Sequence, residues 1–208
     1  MDTHSKETQE KLTPDLAFQT LKEGNERFIK NLKANRNLLQ QANDTKQGQF
    51  PFATILSCMD SRTSAELIFD QGLGDILSIR IAGNILNDDI LGSMEFATKV
   101  VGTKIILVLG HTHCGAIIHA CNDAEFGSMN HIFFRIKQAI QKEKTFTENR
   151  NGDNNAFVDQ VAEINVHLIM ARIRQESLVI SGMEKEGLIK LVGGMYNLET
   201  GKVYFFEE

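Results

Sequence analysis

Nowhere in these 208 residues is there a run of the ~20 uninterrupted apolar residues that a membrane-spanning helix needs, so no membrane partner is expected. Runs of Lys or Arg are missing too. The 22 basic residues are scattered and the 27 acidic ones leave a net charge of -5, which argues against nucleic acid or an anionic membrane surface as a partner. Cysteines are few, and three is an odd number, so a disulfide framework is not expected. The first eleven residues are polar and lack the apolar core of a secretory signal, which makes a cytoplasmic, reducing location the expectation. There is no internal repeat and no low-complexity segment. What is present is a globular composition, 42% hydrophobic and 24% charged, at a length that suits one domain with a full core.

Thr13-Pro14 reads as a helix N-cap followed by proline at the first helical position. Leu16, Leu21, Phe28 and Leu32 then recur near helical spacing, predicting an amphipathic helix over 15–32 and a polar connection over 33–48. This arm has little apolar partner nearby in sequence, so it must pack on a later element or another subunit. From Phe52 the pattern alternates: strands at 53–57, 75–81 and 104–109, helices at 64–70 and 88–101. Gly102 ends the second helix. Helical material follows at 114–122, 129–142 and 155–175, then a strand–turn–strand to 206. The expected fold is α/β, a central mostly parallel sheet flanked by helices, with an N-terminal helical arm and a C-terminal strand pair. One domain, 1–208, is the economical division, with the arm at 1–48 and the core at 49–208.

Two clusters carry the chemistry: Cys58-Met59-Asp60-Ser61-Arg62 after the first strand and Gly110-His111-Thr112-His113-Cys114-Gly115 after the third. Two thiols and an imidazole at strand ends are ligand types that zinc takes, and three ligands leave the open position of a catalytic site. In an open parallel sheet such side chains collect beyond the carboxyl ends of the strands, if those strands are neighbours. Placement at a helix start favours the thiolate of Cys114, and Gly110 and Gly115 bracket the turn so that backbone can approach the ion. Cys121, on an apolar helical face with Ile117 and Ile118, reads as core. His4, His119, His131 and His167 read as surface or satisfied helix residues, and His113 as an outer neighbour of the site.

Taken together, Cys58-x-Asp60-Ser61-Arg62, Arg80-x-Ala82-Gly83-Asn84, Ser93-x-Glu95-Phe96-Ala97 and Gly110-His111-x-x-Cys114-Gly115 resemble the β-class carbonic anhydrases. The resemblance runs from about Leu16 to the C-terminus, including Gly24-Asn25-x-Arg27-Phe28. It implies zinc held by Cys58, His111 and Cys114, and reversible hydration of carbon dioxide to bicarbonate and a proton by zinc-bound hydroxide. It also implies a homodimer or tetramer, with the arm laid across the partner and covering Leu21 and Phe28. Asp60, gripped by Arg62, would orient the hydroxide; in some members the same aspartate becomes a fourth zinc ligand and closes the site. Ala82, Gly83, Asn84 and Gly115 would line a narrow substrate pocket. Two departures stand out. Members with a regulatory bicarbonate site use a Trp–Arg–Tyr set, and this chain has no tryptophan; Thr63-Ser64-Ala65 stands where a proline is frequent, which should alter the helix start.

Two thiolates on the zinc should leave its water less acidic than the ~7 of an all-histidine site, so activity should rise toward alkaline pH. His113 is a weak candidate for proton shuttle. Two other readings keep the metal: a hydrolase of carbon disulfide or carbonyl sulfide, which direct assay separates, and a non-enzymatic zinc-stabilised module, which requires a closed four-ligand site.

Overall fold

The structure, a computed structural model, describes residues 3–206. Three helices precede the sheet: α1 (Lys6–Lys11), α2 (Pro14–Ile29) and α3 (Leu38–Asp44). The core then alternates as β1 (Ala53–Ser57), α4 (Ala65–Ile68), β2 (Ile76–Arg80), α5 (Asp88–Glu95) and β3 (Ile105–His111). Helices α6 (Gly115–Cys121), α7 (Asn130–Lys142), α8 (Asn155–Glu176) and α9 (Leu178–Lys185) lead to β4 (Lys190–Tyr196) and β5 (Val203–Phe205). The five strands lie in the order β2-β1-β3-β4-β5, all pairs parallel except β4 with β5. Among the described residues no helix is long and apolar enough to cross a membrane.

β1 and β3 are buried along their whole length, as parallel strands covered on both faces must be. Alternation divides their side chains between two cores. Leu56, Ile106 and Val108 face α5 to α9, while Ile55, Leu107 and Leu109 face α2 and α4. The chain leaves β1 into α4 on one face and β3 into α6 on the other. Adjacent strands whose connections diverge open a crevice at their carboxyl ends. That crevice is where the two sequence clusters arrive.

Several local expectations needed revision. The stretch 33–48 contains α3, capped by Asn37, whose side chain accepts from the Gln40 amide; its buried Gln41 accepts from the Leu73 amide, a tertiary contact that a polar sequence hides. α1 and α9 were also not foreseen. The α2 stripe is not the expected leucine set: Leu16 is exposed at 53% and Leu32 at 64%. Ala17, Leu21, Gly24 and Asn25 are buried instead, and Asn25 ties the helix down through Ile68 O, Gly201 O and the Val203 amide. Leu21 therefore finds its partners within its own chain, on the Ile55 and Leu107 face, with Phe28 packed half-buried beside it. The helix over 88–101 keeps its limits but changes type, turning π-helical over Phe96–Val101. There Thr98 Oγ1 donates to Met94 O at 2.9 Å, competing with the regular ladder. Finally, β3 runs through His111 rather than stopping before it.

Candidate metal centre

β1 and β3 are neighbours in register, Ser57 beside Leu109. Cys58 is the first residue beyond β1, His111 the last of β3, and Cys114 the N-cap of α6. All three are buried, at 4%, 1% and 1% exposure. One donor atom from each lies within 4.8 Å of the other two. The sulfurs of Cys58 and Cys114 are 3.9 Å apart. Two sulfurs on one tetrahedral zinc, each at about 2.3 Å, stand ~3.8 Å apart, so the pair already has the spacing of zinc ligands. His111 Nδ1 is hydrogen-bond paired with Thr112 O at 2.9 Å, while the buried Nε2 has no hydrogen-bond partner among the described residues. A buried imidazole nitrogen without a partner is costly. Facing two thiols, it has the character of a metal ligand, its orientation held by the bond at the other nitrogen.

The thiols behave as one unit. A hydrogen bond from Cys114 lowers the Cys58 pKa against the effect of burial, with smaller help from His111 and from the Asp60 and Gly83 amides. The same bond, together with burial, raises that of Cys114. Two sulfurs this close can share one proton between them, and a bound cation would take the proton's place. Cys121 stays out of this chemistry: burial pushes its thiol up to about 12.

Asp60 is not part of the three-donor group. Its Oδ1 accepts from the Arg62 amide and Arg62 Nε, both at 2.9 Å, and its Oδ2 from Arg62 Nη2 at 2.8 Å. The guanidinium holds the Asp60 carboxyl at about 2. The donor group therefore numbers three among the described residues, Cys58, His111 and Cys114, where a closed zinc-stabilised module needs four. The loop under it is tightly braced. Thr63 Oγ1 donates to Cys58 O and Asp60 O, and Arg80 donates to the same two carbonyls at 3.2 and 2.5 Å. Thr63 thus supports the loop where a proline was the common alternative, and α4 starts at Ser64 with no side-chain cap.

Of the expected pocket residues, Gly83 and Asn84 are buried and Ala82 half-buried in a 3-10 turn after β2, and Gly115 is exposed at the start of α6. Gly110 is glycine because a Cβ there would meet Met195 Sδ at 2.6 Å and Val166 Cγ2 at 2.8 Å, a packing reason and not approach to an ion. His113 has φ +53°, its amide donates to Asp159 Oδ1 at 2.9 Å, and its Nε2 stands 3.8 Å from Glu199. Arg80, Thr63 and Asp159 were given no role from sequence. Arg80 does carry a sequence signal, since it opens the Arg80-x-Ala82-Gly83-Asn84 motif; Asp159 comes from a distant helix and has no local signal.

The family profile described as carbonic anhydrase matches residues 53–203. Carbonic anhydrase 2 of Mycobacterium tuberculosis is 34% identical over 195 residues, 91% of each chain. The carbonic anhydrase of Mycolicibacterium smegmatis is 33% identical over 197 residues, covering 91% of this chain and 92% of its own. Among solved structures, a tetrameric β-carbonic anhydrase of Sordaria macrospora superposes with a TM-score of 0.70 at 19% identity, over 81% of this chain and 90% of that one. A β-carbonic anhydrase of Aspergillus fumigatus gives 0.69 at 22% identity, over 93% and 90%. Sequence, sheet order and the Cys–His–Cys crevice agree: the chain belongs to the β-class carbonic anhydrases.

Proposed function

We propose that this enzyme hydrates carbon dioxide reversibly to bicarbonate and a proton at a zinc ion held by Cys58, His111 and Cys114. The observation that carries the metal is the buried, partnerless Nε2 of His111 set against two sulfurs at ligand spacing. Bound there, zinc makes water acidic enough to react with carbon dioxide, with two thiolates moderating that acidity. The protein's own part is orientation. Asp60 stays ionised, so it accepts hydrogen bonds and does not donate them. Oδ1 is occupied by two Arg62 donors and Oδ2 by one, which leaves Oδ2 a lone pair for the reacting water. Arg62 keeps the carboxylate turned this way, and Thr63 and Arg80 keep the loop from following a substrate in or out. A fixed acceptor beside the open position points the nucleophile and costs no reorganisation during the reaction.

Zinc analysis and stopped-flow hydration test this on wild type and Asp60→Asn. The wild type should carry one zinc per chain and hydrate carbon dioxide. The asparagine variant should keep its zinc and lose about 10- to 100-fold in rate, the usual cost of an outer-shell partner. A zinc-loaded wild type without hydration activity would sink the proposal. We also infer that the enzyme self-associates. The edge strand β2 and the neighbouring π-helical turn form a groove of about 660 Å³ in which Leu77, Ile79 and Phe96 stand beside the polar Ser78, Asp88 and Asp89, with Phe96 exposed at 58% and Val100 at 67%.

A further inference from the structure

α8 packs as the back wall of the metal centre, and the face it turns inward is apolar at Val158, Val161, Ala162, Val166 and Ile169. One residue breaks the pattern. Asn165 is 3% exposed, and its Nδ2 donates to Gly83 O at 3.0 Å, across 82 residues of sequence. A buried amide in an apolar wall costs stability unless it is paired, so its presence calls for an account of what the pairing achieves.

The partner is the informative part. Gly83 lies in the turn after β2 with φ +65°, a conformation open to glycine. A Cβ there would meet Ile136 Cδ1 of α7 at 2.9 Å and Ala116 Cβ of α6 at 3.4 Å, so the residue is wedged against the helix that begins at Cys114. The same turn is tied to the end of β1, where the Ile81 amide donates to Ser57 O at 3.1 Å, one residue before Cys58. The turn is thus held by the end of β1 and packed against α6 in front, and held from behind by α8. Holding the carbonyl keeps Gly83 seated between the two segments that present Cys58 and Cys114.

We propose that Asn165 is a positioning residue for the metal centre: by holding the Gly83 carbonyl it keeps the turn after β2 seated against the end of β1 and the start of α6, where Cys58 and Cys114 stand. It touches neither substrate nor metal. The proposal rests on the reading of Cys58 as a zinc ligand, and extends it from the ligands to the wall that orients them. Groups of this kind tune both the affinity and the electronic character of a bound metal.

The test compares wild type with Asn165→Leu and Asn165→Asp. Leucine puts an apolar side chain in an apolar wall; aspartate keeps the size but sets an acceptor against a carbonyl. If Asn165 only fills space, leucine is tolerated and the metal does not notice. If it positions Gly83, both variants bind zinc about 10- to 100-fold more weakly in competition with a chromophoric chelator. Both should also shift the thiolate-to-metal absorption of the cobalt-substituted protein. Ser177→Ala supplies the control, because Ser177 is buried, caps α9 and bonds Glu95 away from the centre; it should lower stability and leave zinc affinity and the cobalt spectrum unchanged. Should the leucine variant not fold, Asn165→Ser is a smaller lesion read by the same two assays. Zinc affinity within twofold of wild type with an unshifted cobalt band overturns the role of Asn165. A wild type that binds neither zinc nor cobalt through thiolates overturns instead the ligand reading on which it rests.

Discussion

Single residues in this enzyme carry charge in places where its removal has a defined cost. Asp70, 6% exposed and at φ +45°, sits beyond α4 and accepts from Arg27 Nε at 2.5 Å, from Arg36 Nη1 at 2.7 Å and from the Ala34 amide at 3.1 Å. Burial alone would raise its pKa, but these three donors outweigh it and the carboxyl lies below its ordinary value. A depressed folded pKa means that the unfolded chain binds the proton first as pH falls. The stabilisation is therefore complete above the unfolded value of about 3.9 and is lost as pH drops through the lower folded value. Asp70→Asn should flatten that acid limb of stability in urea unfolding. At neutral pH it should cost about 3–5 kcal/mol, because the buried carboxylate that pairs with both Arg27 and Arg36 is lost. A variant that unfolds at the same urea midpoint as wild type at pH 7 would falsify this account of the cluster.

At the scale of elements, β2 is the weak point that the fold does not cover. An edge strand presents unpaired backbone groups, and native proteins cover such edges or blunt them with charge. Here the groove beside the edge is lined by Leu77, Ile79 and the exposed Phe96 together with Asp88 and Asp89. Apolar surface of this kind marks an interface. Wild-type protein should sediment as a dimer or larger species, and Phe96→Glu should shift it toward monomer by burying a charge in the groove. A monomeric wild type at micromolar concentration removes the argument. In the arm, Leu21 and Phe28 pack on the chain's own sheet, so α2 helps to hold the protomer itself together.

Across the whole molecule, the metal centre links parts that otherwise meet only through packing. Its ligands come from the end of β1, the end of β3 and the start of α6, which leave the sheet on opposite faces. An ion bound there stabilises the native state by mass action. Free zinc at a thousandfold its dissociation constant contributes about 4 kcal/mol. For a chain of this size that is a rise of roughly 8–16 °C in Tm. Differential scanning calorimetry of chelator-stripped and reloaded protein measures it directly, and superimposable traces would contradict binding to the folded state.

How much of this could be read without coordinates depends on the range of the interaction. The ligand types, their positions beside β-branched runs, and the Asp60–Arg62 pair two residues apart are local, and local chemistry is written into the chain. The alternation of strand and helix was legible for the same reason: periodicity depends on neighbours in sequence. Helix α3 and the true buried face of α2 were not, because Gln41 and Asn25 earn their places through bonds to Leu73, Ile68, Gly201 and Val203. Nor was the state of the site. That β1 and β3 lie side by side, that His111 Nε2 is left buried without a partner, and that Asp60 is held by Arg62 apart from the three donors are facts of tertiary structure. So is the reach of Asn165 to Gly83. The sequence alone determined which atoms could hold zinc; the fold decided that they converge, and that the carboxylate beside them stands aside.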